Sequence, residues 1–283
     1  MQAFWRSVHP TGTPADARRQ NGKDWHDTKY LGYPVKSMRG ESADAVYCDF
    51  AGVFGDRMYA LKDPQGYAGF PWLTGRELRS LVLYTPTFRN AAAASAPPHL
   101  KAAEDIAPGV TPRYPQPDEL LLDVTTPEGV TYSIDDPELC ASLARRLGMP
   151  AAPELLRSDR ALTDARPLSL FSVQTAAQLS TEVGSEVDPR RFRANLYLDL
   201  PELGAFGEDT LVGKTLQVGD RLQLTVVARD ARCAMVTLDP DTGESNARVL
   251  REIAQRHETM AGVYGAVLRS GMVKPGDAVI LQG

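Results

Sequence analysis

A chain of 283 residues with 43% hydrophobic and 24% charged residues can bury a real core as one large domain or two modest ones, which excludes the disordered class. Acidic residues outnumber basic ones, 36 to 31, and the net charge of −5 argues against a nucleic-acid protein held by phosphate neutralisation. No apolar run approaches the ~20 residues that span a bilayer, and three cysteines without a CxxC provide neither a disulfide framework nor a four-thiolate zinc site. The start, Met1-Gln-Ala-Phe-Trp-Arg, lacks the pattern of a secretory signal. These features read together as a cytoplasmic protein with neither a membrane nor a nucleic acid as partner.

In chain order, residues 1–28 are polar, with Pro10, Gly12, Pro14 and Gly22, and read as an irregular lead-in. Tyr30, Leu31, Tyr33 and Val35 suit a short strand, with Pro34 at its end or on an edge. Further strands are expected over 43–50, 57–62 (closed by the turn Asp63-Pro-Gln-Gly) and 79–85. Residues 86–118 carry an alanine run ending in Pro97-Pro98 and then four more prolines, and read as a surface insertion without a stable helix. A helix is expected over 137–147, with Asp135 or Asp136 as cap, Pro137 in the first turn, Leu139, Leu143 and Leu147 on one face, and Gly148 as the stop. Cys140 on that helix reads as a buried structural thiol, and Cys48 as a strand thiol.

A second helix is expected to start near Thr175, from a capping-box pattern. A third spans about 247–257, capped by Asn246, with Val249, Leu250, Ile253 and Ala254 inward and His257 as a cation near its C-terminal dipole. Residues 213–227 read as a hairpin turning at Gly219-Asp220, and 273–281 as a Pro-Gly turn feeding a final strand. Many short strands, few helices and no regular repeat imply a β-rich α+β fold with a barrel-like core.

The chemistry is narrowed mainly by exclusion. No GxGxxG, GxxxxGK[ST], HExxH or GxSxG pattern is present, and the four histidines are scattered. Residues 229–243 stand out, because Cys233 falls where an alternating strand gives way to a polar stretch, with Arg229 and Arg232 nearby. A neighbouring cation favours the thiolate, the form that attacks electrophiles or binds a soft metal. The alternative is a buried strand cysteine with Arg232 pointing the other way.

Four short motifs then occur in order: Val-Lys-Ser at 35–37, Gly-Asp-Arg at 55–57, Arg-Phe-Arg-Ala-Asn at 191–195, and Arg-Cys at 232–233 followed by Asp-Pro-Asp-Thr-Gly at 239–243. Together, over about 28–283, they resemble the MOSC family, specifically members with an N-terminal MOSC β-barrel segment, the group that includes the mitochondrial amidoxime-reducing component. The resemblance implies a smaller barrel-like N-terminal MOSC domain over 29–135, holding the 86–118 insertion, ahead of a MOSC β-barrel domain over 136–283. It also implies a molybdenum cofactor (molybdopterin), with Cys233 as catalytic residue and thiolate ligand to the metal. Lys36, Ser37, Arg57, Ser172, Arg193 and Asn195 would hold the pterin.

The sequence departs from the family pattern at Asp230, where relatives often have a first cysteine, at Ala231 for a serine, and at Ala194 for a proline. These changes bear on substrate range. Asp239 and Asp241 read as a turn that shapes the pocket wall. The implied function is reduction of small N-hydroxylated or N-oxide-type substrates. The chain lacks an iron–sulfur cysteine cluster and a flavin or nicotinamide fingerprint, so a separate electron-donor protein is expected. The alternatives are sulfur transfer or carbon–sulfur chemistry through a Cys233 persulfide, and a non-catalytic carrier of the cofactor. Metal content separates them.

Overall fold

The computed structural model describes residues 25–107, 120–158, 161–165 and 167–282. Most of the expected lead-in (1–24) and the last part of the expected insertion (108–118) lie outside the described residues. In chain order the elements are β1 (His26–Gly32), β2 (Glu41–Ser42), β3 (Val46–Asp49), β4 (Gly52–Val53), β5 (Tyr59–Lys62), β6 (Thr85–Phe88), α1 (Ala91–Ser95), α2 (Leu100–Glu104), β7 (Leu122–Thr125), β8 (Thr131–Ser133) and α3 (Pro137–Leu147). There follow β9 (Glu154–Arg157), β10 (Leu168–Ser172), α4 (Val173–Val183), β11 (Leu196–Asp199), β12 (Thr215–Val218), β13 (Leu222–Ala231), α5 (Ala247–Arg256), β14 (Met260–Arg269), β15 (Gly271–Val273) and β16 (Val279–Gln282).

Eight strands form one sheet in the order β16-β12-β13-β14-β10-β11-β1-β2. Its centre, β10 beside β11, is parallel, and the other pairings are antiparallel. The two central strands are buried on both faces, as in a sheet covered on both sides. Leu168, Leu170, Leu196 and Leu198 enter one core with Trp25, Leu224 and Val263, while Phe171 and Tyr197, one residue out of phase, enter another with Leu179, Val183, Val249 and Ile253 of α4 and α5. A third core, built around Tyr47, Tyr59, Leu61, Leu81, Leu122 and Leu143, belongs to the N-terminal half. That half supplies β1 and β2 to the large sheet and the small antiparallel sheet β6-β7-β8, while β15 and β9, from later in the chain, complete the sheets β15-β3-β4 and β5-β9. The fold is therefore mixed α+β and sheet-rich.

Several local expectations need correcting. The strand expected over 79–85 is a 3-10 turn, Arg79–Leu83, because Leu78 and Leu81 are buried at helical rather than alternating spacing, and extended pairing starts at Thr85. The alanine run does form a short helix, α1, because the Asn90 side chain accepts the Ala93 N–H at 3.1 Å. Phe88, at the start of the expected insertion, is buried in the third core. The second helix starts at Val173, not Thr175, because Ser172 is the residue that caps it. On α5, Ala254 faces solvent while Glu252 is buried against the Arg256 guanidinium at 2.8 Å. By contrast α3 has the expected cap, Pro137 and Gly148 stop, the glycine taking φ 62°.

Candidate functional site

A cavity of about 320 Å³ lies where the N-terminal core meets the ends of β10, β11, β13 and β14. It gathers residues that are far apart in sequence: Lys36 and Ser37 after β1, Arg57 before β5, Asp164 before β10, Arg193 and Asn195 before β11, Asp230 and Cys233 at the end of β13, and Tyr264 on β14. Six of the seven sequence-derived site residues therefore share one cavity. The exception is Ser172. It is fully buried, and its hydroxyl accepts the Thr175 N–H at 3.1 Å and donates to the Glu208 carboxylate at 2.8 Å. Its position, at the junction of β10 and α4, makes it a structural cap outside the cavity lining.

Cys233 is exposed, whereas Cys48 and Cys140 are buried. It occupies the N-cap of a 3-10 turn, Ala234–Thr237, with no cap bond from its side chain, so the sulfur is available to the cavity. Neither arginine near it in sequence is a free neighbour. Arg229 pairs with Asp209 at 2.8 Å and Glu258 at 2.6 Å and does not line the cavity. Arg232 bonds the carbonyls of Ala261 and Phe192 at 2.6 and 3.0 Å and pairs with Asp230 at 2.7 Å, so its charge braces the loop carrying the site.

The opposite wall is cationic and conformationally strained. Lys36 is buried, donating to the Leu162 carbonyl at 2.8 Å and to Asp164 at 2.5 Å; burial lowers its pKa, and Asp164 opposes that shift. Ser37, Arg57 and Arg193 take φ of 67°, 47° and 53°, a left-handed region that costs a non-glycine residue roughly 1–3 kcal/mol unless its surroundings over-determine it. The surroundings do so here. The Arg57 N–H donates to the Tyr33 carbonyl at 2.7 Å, its guanidinium pairs with buried Asp56 at 2.5 Å, and its Nη2 donates to the Arg193 carbonyl at 3.0 Å. Burial disfavours the Arg57 charge, yet the Asp56 carboxylate outweighs it and the pKa is raised. Both guanidiniums lie against the Tyr33 ring, at 4.8 Å for Arg57 and 4.2 Å for Arg193.

Arg193 lacks a comparable counter-charge. Burial, with Arg57 adding to it, lowers its pKa to about 10, and its buried Nη2 has no hydrogen-bond partner. Asn195 lines the cavity while clamping two strands, accepting the Ser169 N–H and donating to the Leu31 carbonyl, each at 3.2 Å. Asp230 is buried beside Ser169 and Tyr264. Burial raises its pKa, with Arg232 opposing, and burial followed by the Asp230 charge raises that of Tyr264. Asp239 accepts the N–H groups of Asp241 and Thr242 at 3.0 Å and holds Arg191 at 2.8 Å, while Asp241 holds Arg190 and Arg39. The acidic turn is thus a scaffold for the pocket wall.

Sequence reading missed Asp164, Tyr264, Ser169 and the Tyr33 platform. A buried lysine demands an acceptor, but nothing local says that it lies 128 residues away.

A family profile described as MOSC domain matches residues 157–280. Mitochondrial amidoxime reducing component 2 of Bos taurus is 24% identical, covering 87% of this chain and 80% of its own length. The Rattus norvegicus component 2 and Mus musculus component 1 are 27% and 26% identical, and there the chain spans about four-tenths of the relative's length (41% and 38%). Among solved structures, the YUAD protein from Bacillus subtilis superposes with TM-score 0.44 at 12% identity, covering 91% of this chain and 96% of that one. YiiM from Geobacillus stearothermophilus gives 0.32 at 18% identity, covering 41% and 54%. Over residues 157–280, then, this chain is similar to the MOSC domain family.

Proposed function

We propose that this chain is a molybdenum-cofactor-binding oxidoreductase that reduces N-hydroxylated or N-oxide-type substrates, with Cys233 as the thiolate ligand to the metal. The observation that supports this most is the cavity itself, in which one exposed thiol faces three motif cations. Among the described residues no three His, Cys, Asp or Glu side chains group as a metal site, so a metal at Cys233 takes its other ligands from a cofactor or solvent. The residues suit an anionic pterin: Lys36, Arg57 and Arg193 supply charge, and Arg193 Nη2 is a buried donor lacking an acceptor. The Ser37 hydroxyl is held in the cavity wall by a left-handed backbone.

The bound cofactor would supply the two-electron redox chemistry. The chain's own residues then bind, orient and exclude water. Asp230, paired with Arg232 at 2.7 Å and lining the cavity with Tyr264, orients the loop that carries Cys233. The names of the amidoxime reducing relatives support the substrate class, and a separate electron-donor protein belongs to the same reading. No helix among the described residues is long and apolar enough to cross a membrane. We place the protein in the cytoplasm as part of this proposal.

The test is elemental analysis of wild type and Cys233→Ser purified from a host that makes the cofactor. Molybdenum near one per chain in wild type, lost in the variant, with turnover of an N-hydroxylated probe, is expected. Metal-free wild type from that host would overturn the reading and favour the persulfide chemistry that an exposed cysteine also permits. Metal without turnover would leave a cofactor carrier.

A further inference from the structure

The cavity that holds Cys233 has a cation belonging to none of the four sequence motifs. Arg76 lines it together with Phe70 and Thr74, all three on the segment between β5 and β6. Arg76 and Cys233 are exposed members of that lining, whereas Lys36, Ser37 and Asn195 are buried ones. The arginine therefore stands with the thiol on the open side of the cavity. Its segment packs directly onto the turn that follows Cys233, since a Cβ built at Gly75 would lie 2.9 Å from the Met235 sulfur.

Arg76 is held in place but not neutralised. Its Nε donates to Thr74 Oγ1 at 3.3 Å, and its guanidinium carbon lies 4.3 Å from the centre of the half-buried Phe70 ring. The neighbouring Glu77 carboxylate is engaged elsewhere, accepting the Thr74 N–H at 2.8 Å and the Thr74 hydroxyl at 2.7 Å. The carboxylates of the lining are taken as well, Asp164 by Lys36 and Asp230 by Arg232. Among the described residues Arg76 thus has no carboxylate partner, and its two terminal nitrogens have no protein acceptor. A guanidinium fixed through Nε and one aromatic face offers a carboxylate two parallel bonds and has little rotamer freedom left to lose on binding.

We infer that Arg76 is a specificity residue that selects N-hydroxylated substrates bearing a carboxylate. The acid group sits on its guanidinium, the apolar body lies against Phe70 and Met235, and the N-hydroxyl group is turned toward Cys233. This inference rests on the proposed reduction at the same cavity. It is separate from the cofactor contacts, which fall on Lys36, Ser37, Arg57, Arg193 and Asn195.

The probes are benzamidoxime and its 4-carboxylate, titrated calorimetrically into wild type, Arg76→Ala and Arg76→Lys purified from the cofactor-making host. Without an electron donor no turnover occurs, so affinity is read directly. Wild type should bind the carboxylate at least 10-fold tighter than benzamidoxime. Arg76→Ala should remove that preference, Arg76→Lys should keep part of it, and both should carry the wild-type amount of molybdenum. With a donor present, the ratio of the two KM values should shift in the same way. Equal affinities in wild type, or a preference that survives in Arg76→Ala, overturn the inference. Molybdenum lost from Arg76→Ala also overturns it, by making the residue a holder of the cofactor. The preference without turnover of either probe would sink the reduction and leave a carboxylate-binding site, whereas turnover of both without preference would do the reverse.

Discussion

Ser172 and Cys233 occupy nearly the same local position and do opposite things. Each follows a strand of the large sheet and stands at the N-cap of a helical turn, Ser172 between β10 and α4 and Cys233 after β13. Ser172 is fully buried, its hydroxyl shared between Thr175 and Glu208. Cys233 makes no cap bond and is open to the cavity. A side chain at a strand-to-helix junction is structural when burial and an acceptor engage it, and chemically available when neither does.

The largest expected effect separates the two directly. Cys233→Ser should abolish metal retention and turnover while moving the unfolding midpoint by no more than about 1–2 °C, as for an exposed substitution. A large loss of stability would show that the thiol is structural after all. Asp56→Asn should come next, because it removes the counter-charge of buried Arg57 and loosens the Arg193 carbonyl contact. A stability loss of about 3 kcal/mol in denaturant titration is expected, together with poorer cofactor retention.

Ser172→Ala should cost about 1 kcal/mol of stability and leave metal content unchanged. Reduced metal content at unchanged stability would instead restore Ser172 to the cofactor site. The smallest effect is a pH segment. Burial raises the Glu208 pKa against the bonds from Ser172 and Thr175. The folded carboxyl then keeps its proton to a higher pH than the unfolded one. Stability is therefore greatest below the ordinary glutamate range and falls as pH rises through the raised value. Denaturation midpoints against pH should show that fall in wild type and lose it in Glu208→Gln. Parallel curves would mean Glu208 does not titrate across that window.

The motif positions Lys36, Arg57, Arg193 and Cys233 were legible because each depends on residue type and short spacing, and the cavity brings those four together. Helix α3 was legible for the same reason: cap, Pro137, apolar face and Gly148 are all local. The 3-10 turn at Arg79–Leu83 was not. A run of Leu and Val suits a strand or a buried turn equally, and only the packing of Leu78 and Leu81 into the N-terminal core decides between them. The Thr175 capping pattern misled because Ser172, three residues earlier, competes for the same role and has Glu208 behind it.

By itself the sequence determined the sheet-rich class, the local helix signals and which side chains bear chemistry, since these follow from periodicity, caps and residue type. Tertiary structure alone decided which charges remain available. Arg229 and Arg232 sit beside Cys233 in sequence but are held by carboxylates and carbonyls, while Arg193, forty residues away from it, has a buried donor with no acceptor. Pairing and desolvation depend on groups brought close by folding, and no local pattern encodes them.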